Sequence, residues 1–146
     1  MSPDLPTAAE LAQMSKLFSL LDDKGRSRLL AGATRRSAAA GETLCREGEK
    51  GEEFFVVVSG KVNVTADDFG NAKQIAVLGR GGFFGEMSVV ANQPRSATVV
   101  ADGPVELLAF TRKVVEEVLK DYPVVRQALG QVGVRRTEEL LEKLNS

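Results

Sequence analysis

The residues best suited to chemistry lie between Gly81 and Thr98, in the run Gly81-Gly82-Phe83-Phe84-Gly85-Glu86-Met87-Ser88-Val89-Val90-Ala91-Asn92-Gln93-Pro94-Arg95-Ser96-Ala97-Thr98. A glycine-rich turn leads into a short helix at Gly85-Glu86-Met87-Ser88. A helix start presents free backbone N–H groups and a partial positive charge, which together favour an anion. Glycine lets the backbone come close to that ligand. After a turn at Asn92-Gln93-Pro94, Arg95 enters a strand and can aim its guanidinium at the same anion. Arginine suits this role because its planar fork makes paired, charge-assisted bonds to phosphate oxygens. Glu86 adds like charge, so it needs a ligand hydroxyl to accept from, such as a ribose 2′-OH; its lesser reading is a carboxylate that favours the helix N-terminus. One anion beside one sugar hydroxyl describes a nucleotide.

Other chemistries are closed by composition. The chain of 146 residues contains no histidine. That removes the usual general base, any Ser-His or Cys-His pair, and imidazole metal ligation. Asp67-Asp68-Phe69-Gly70-Asn71 reads as a polar hairpin loop and not a metal site, because no cluster of ligands accompanies it. The single cysteine, Cys45, cannot form an intrachain disulfide and reads as a small buried hydrophobe. Net charge is −1, and Arg35-Arg36 is a local positive pair too small to imply nucleic acid. The first residues have neither a basic nor an apolar signal region, and no apolar run is long enough to span a bilayer. A cytoplasmic, non-enzymatic chain with no metal, no cofactor, and no nucleic-acid or membrane partner is expected.

The elements that must position this segment follow from periodicity. Leu11, Met14, Leu17, Phe18 and Leu21 recur at helical spacing over residues 8–21. Asp22-Asp23-Lys24-Gly25 interrupts the pattern, and a second short helix is expected from Arg26 to Ala33. Strand-like runs follow at Glu42 to Arg46, Phe54 to Ser59, Lys61 to Thr65, Lys73 to Leu78, Ala97 to Ala101 and Val105 to Phe110. Lys61 to Thr65 alternates as a half-exposed strand does, whereas Phe54 to Val58 is continuously apolar, as where both faces are covered. Ser59-Gly60 between two runs predicts a tight hairpin turn. Thr111 is a good N-cap for a helix to Lys120, and Pro123 suits the first turn of another reaching Leu144. Short strands punctuated by glycine argue for an antiparallel β-roll, jelly-roll-like, with N-terminal helices and a C-terminal lid helix. One domain over residues 1–146 is expected: helices to residue 34, the roll over 35–110, and helices over 111–146.

Phe84-Gly85-Glu86 followed by Pro94-Arg95-Ser96-Ala97-Thr98 resembles the phosphate-binding cassette of the cyclic-nucleotide-binding domain family. That family includes protein kinase A regulatory subunits, cyclic-nucleotide-gated channels and the catabolite activator protein. Ala40-Gly41-Glu42-Thr43-Leu44 and the run Glu47 to Val62 match its strand and hairpin pattern, so the resemblance covers nearly the whole chain. The ordered set is highly specific, where Gly-Glu or Arg-Ser-Ala alone is not. By position, the resemblance implies that Arg95 pairs with the cyclic phosphate and Glu86 accepts from the ribose 2′-OH. Backbone N–H groups near Met87, Ser88 and Ala97 complete the cradle. Ser96 stands where family members touch the phosphate or a guanine amino group, which leaves cAMP and cGMP both open. Phe83 and Phe84 read as barrel packing ahead of base stacking.

On the C-terminal helix, Val125, Leu129, Val132, Arg136, Leu140 and Leu144 share one stripe. An arginine on an apolar stripe needs a reason. In some channel-type members an arginine on this helix contacts the purine, so Arg136 is a candidate lid residue, with Arg135 as the alternative and snorkelling at the helix edge as the plainer reading. Gly130 and Gly133 each weaken the helix by roughly 1 kcal/mol relative to alanine, so ligand could order it. The resemblance thus implies a second-messenger sensor whose partners are a cyclic nucleotide and a protein effector. The competing reading is a pseudo-sensor that uses the same fold only for protein–protein interaction.

Overall fold

Two long strands carry the architecture. In the computed structural model, which describes residues 6–86 and 94–132, β3 (Glu53–Asp68) and β6 (Thr98–Thr111) pair antiparallel along nearly their whole length. Four shorter strands complete the sheet: β1 (Thr34–Ala38), β2 (Thr43–Cys45), β4 (Asn71–Leu78) and β5 (Phe83–Phe84). Every pairing is antiparallel; β1 and β2 flank β6, while β4 and β5 flank β3. The β1 and β5 partners lie at one end of the β3–β6 ribbon and the β2 and β4 partners at the other. This is the mainly β antiparallel roll with flanking helices that the sequence predicts.

The ribbon corrects one expectation. Ser59-Gly60 is not a hairpin turn, and Val105 does not open a separate strand. Both chains run straight through, with register shifts at Val57/Ser59 and Ser59/Lys61 that bend them together. Gly60 (φ 85°) and Gly103 (φ 89°) supply left-handed backbone at the bend. A Cβ at Gly60 would overlap the Pro104 carbonyl oxygen, so glycine is also what lets the two strands approach.

The helices differ in detail as well. The apolar pattern over 8–21 forms two helices, α1 (Ala8–Met14) and α2 (Lys16–Ser19), because Ser15 is extended and accepts from the Leu17 N–H as an N-cap. The helical pattern breaks before Asp22 as expected, but the next helix starts at Asp23 and not at Arg26. The Asp22 carboxylate accepts from the Gly25 N–H at 2.8 Å and caps α3 (Asp23–Ala31). Thr111 caps α4 (Arg112–Leu119) as its type predicts, and a further helix, α5, is described over 123–132.

Two cores result. Phe54, Val56, Phe83, Leu108 and Phe110 face the helices, packing against Leu11, Leu17, Phe18, Leu21, Leu29, Val115 and Leu129. Phe55, Val57, Val62, Phe84, Val99, Leu107 and Ala109 fill the inside of the roll with Cys45. The uninterrupted Phe54-Phe55-Val56-Val57 is therefore buried on both faces.

Candidate functional site

The Gly-rich turn before the candidate site is fixed by β3. The Val57 N–H donates to the Gly82 carbonyl, and the Gly81 N–H donates to the Val57 carbonyl, both at 2.8 Å. Phe83 and Phe84 then pair with Val56 and Phe55 in register. Their side chains separate: Phe83 enters the helix-facing core at 5.6 Å from Phe54, and Phe84 stacks on Phe55 inside the roll at 5.0 Å. Packing is thus their observed role. Gly85 follows with φ 87°, and Glu86 after it is helical. Glu86 is the one buried charged side chain among the described residues. Burying a carboxylate is costly, which marks this position as built for polar contacts.

Arg95 is seated by the loop between β2 and β3. Its N–H donates to the Glu49 carbonyl and its own carbonyl accepts from the Gly48 N–H, each at 2.8 Å. The guanidinium Nη1 donates to the Gly85 carbonyl at 3.3 Å and Nη2 to the Glu53 carbonyl at 3.0 Å. Its Cζ lies 6.0 Å from the Phe55 ring centroid. Two glycines make the slot. A Cβ at Gly51 would overlap the guanidinium, and one at Gly85 would come within 2.5 Å of Nη1 and 2.8 Å of the Glu53 carbonyl. Sequence reasoning placed Gly51 only in the strand-and-hairpin pattern. Its role here was invisible because Arg95 is 44 positions away and no spacing rule joins them.

The structure therefore brings Phe84, Gly85 and Arg95 together beside Phe55, with the buried Glu86 next along the chain from Gly85. Ser96 is exposed and Ala97 half-buried in the bend that leads into β6. Met87, Ser88, Arg136 and its alternative Arg135 lie outside the described residues. Cys45 is buried nearby, and that burial pushes its thiol up to about 11 despite the opposing pull of Arg95. No group of three or more metal-ligating side chains occurs among the described residues.

Among the described residues, no carboxylate lies within ion-pair distance of Arg95, which rests on neutral carbonyls. A half-buried cation held in this way is suited to an incoming anion.

The cyclic nucleotide-binding domain model matches residues 35–122, and the chain belongs to that family. It is 37% identical over 93 residues to the cGMP-dependent protein kinase egl-4 of Caenorhabditis briggsae, covering 62% of this chain and 12% of that protein. A cyclic nucleotide-gated potassium channel of Rhizobium etli is 30% identical over 127 residues, covering 87% of this chain and 34% of the channel. Among solved structures, the regulatory domain of Toxoplasma gondii PKA with cAMP superposes with a TM-score of 0.76 at 28% identity, covering 88% of this chain and 50% of that one. The chain spans 12% and 34% of the length of these two curated relatives.

Proposed function

We propose that this chain is a sensor that binds cAMP, with cGMP as a second ligand, performs no chemistry itself, and reports binding through its C-terminal helix to a protein effector in the cytoplasm. The observation that supports it best is Arg95: an oriented guanidinium on two backbone carbonyls, beside the buried Glu86. A guanidinium has five N–H donors, so two carbonyl bonds orient it and the fork still matches phosphate oxygens. Glu86 is the acceptor for the ribose 2′-OH in this reading. The names of the relatives cover both nucleotides, and Ser96, exposed beside Arg95, supplies a hydroxyl without deciding between bases. We expect both to bind, with cAMP modestly preferred. No described helix is long and apolar enough to cross a membrane, and neither membrane nor nucleic acid is a proposed partner.

Calorimetric titration with cAMP and cGMP tests the reading. Arg95→Ala should lower affinity more than a hundredfold, roughly 3–5 kcal/mol, by leaving the phosphate charge unpaired. Titration with 2′-deoxy cAMP should show weaker binding, and the discrimination should shrink in Glu86→Ala. A folded wild type that binds neither nucleotide would leave the protein-interaction reading in its place. Val125 and Leu129 are already buried in the helix-facing core and Val132 packs against it, so for the output amide exchange over residues 125–132 should slow further when nucleotide is added. Exchange that slows only around Gly85 and Arg95 would remove the helix from the mechanism.

A further inference from the structure

Arg95 is not the only arginine over Phe55. Arg36, on β1, places its Cζ 5.9 Å from the same ring centroid. The two guanidinium carbons therefore lie no more than about 12 Å apart. The Arg36 Nη2 donates to both carboxylate oxygens of Glu53, at 2.6 and 2.8 Å. β6 lies between β1 and β3, so this contact reaches across a strand. Glu53 is also the residue whose backbone carbonyl holds the Arg95 Nη2 at 3.0 Å. One residue thus meets one arginine through its backbone and the other through its side chain.

As a stabilising contact the pair is poorly placed. The side chains of Arg36 and Glu53 are 47% and 26% exposed, and such pairs contribute little to folding. Its position gives it a different consequence. Both guanidinium groups lie over the Phe55 ring, and the carboxylate that one of them holds belongs to the residue whose backbone carbonyl holds the other. Arg95 is the other guanidinium over this ring, so without Arg36 it is the cation of the pair left to the Glu53 carboxylate. A carboxylate there would mimic and oppose a phosphate.

We propose that Arg36 is a positioning residue for the phosphate site: by holding the Glu53 carboxylate, it keeps Arg95 from being neutralised within the protein and so available to the cyclic phosphate. The inference rests on Arg95 as the phosphate partner. It names Glu53 as an internal competitor of the ligand and Arg36 as the residue that restrains it.

The test is a double-mutant cycle read by calorimetric titration with cAMP on the full chain, with Arg95→Ala alongside. R36A should weaken binding about tenfold, equivalent to roughly 1.4 kcal/mol. E53Q should tighten binding by up to about threefold, because the competing charge is gone. The double variant R36A/E53Q should return to within about threefold of wild type, and R36K should retain most of the affinity because it keeps a cation for Glu53. Should R36A lower the urea midpoint, R36Q carries the same test with the side-chain length kept. Wild-type affinity in R36A makes the pair a surface contact and overturns the proposal. A loss that persists in R36A/E53Q overturns it too, because Arg36 would then act on the ligand directly or on the fold. Failure of the underlying reading looks different: the wild type does not bind cAMP, or R95A binds as the wild type does.

Discussion

The two halves of the β3–β6 ribbon are made from the same pair of strands, yet they are buried differently. From Glu53 to Val57, and opposite from Leu107 to Thr111, one face packs on the helices and the other on the roll interior. Beyond the bend at Gly60, the inward residues Val62, Ala66, Val99 and Ala101 stay buried, while Lys61, Asp67 and Asp102 face solvent. The candidate site lies against the doubly covered half. The Glu53 carbonyl, the Phe55 ring and the Gly85 turn all belong to it, and they hold Arg95. A guanidinium aimed within a fraction of an ångström needs a frame that does not move, and backbone buried on both faces supplies one.

Substitution on the two halves should break this comparison most visibly. Phe110 is fully buried in the helix-facing core at 5.9 Å from Phe54, so Phe110→Ala should cost about 3–5 kcal/mol. Lys61→Ala, on the exposed face beyond the bend, should stay within about 0.5 kcal/mol. Urea unfolding of both variants measures the contrast. Similar costs at the two positions would mean that the ribbon is uniformly supported and that the covered half is no special frame.

The same contrast decides what the sequence revealed. Phe54-Phe55-Val56-Val57-Val58 read as doubly covered and Lys61 to Thr65 as half-exposed, because burial leaves a direct imprint on side-chain polarity. The bend between them was misread. Ser59-Gly60 has the composition of a hairpin turn, but Gly60 is there for its φ and for the approach of Pro104, which only the paired strand reveals. The two-residue β5 and the polar β1 carry too little pattern to be found alone. At the site, Gly85, Glu86 and Arg95 were legible as an ordered motif. Gly51, Glu53 and Arg36 were not, because their contacts join β1, β3 and a loop that are distant in the chain.

The interior of the roll should be as dry near the open half as it is beside the site, and Cys45 can report on this. Cys45 pairs with Val99 and packs in the roll interior, and burial raises its thiol from 9.0 to about 11. Between those values the unfolded chain loses the thiol proton while the folded chain keeps it. Stability from this group is therefore fully present below pH 9 and falls as pH rises toward 11, by roughly 1.4 kcal/mol per pH unit at most. Denaturant unfolding between pH 8 and 11 should show a steeper alkaline decline in wild type than in Cys45→Ala. Equal slopes would mean that water reaches the thiol and that the interior on this side is loosely closed.

The smallest effect is expected at the far end of the open half, where the ribbon's β3 turns back into β4. Phe69 and Gly70 form the tip, with φ 54° and 90°, and Phe69 is 97% exposed. Left-handed backbone at both central residues is the geometry of a type I′ turn, for which asparagine followed by glycine is strongly preferred. Phenylalanine adopts positive φ reluctantly, and here it gains no packing in return. The Asp67 carboxylate already accepts from the Gly70 N–H at 3.1 Å, so the turn has its own clamp and tolerates exchange of the Phe69 side chain. Phe69→Asn should therefore raise stability by about 0.5–1 kcal/mol, seen as a higher urea midpoint with an unchanged slope. Nucleotide affinity should not move, because the Phe69 side chain is exposed and the link from this hairpin to the loop that seats Arg95 runs through the Asp67 N–H and Glu47, which the substitution leaves in place. A stability loss would show that Phe69 has a folded-state partner and that the open half is less open than its exposure indicates. An unchanged midpoint would show that the turn carries no strain at this position.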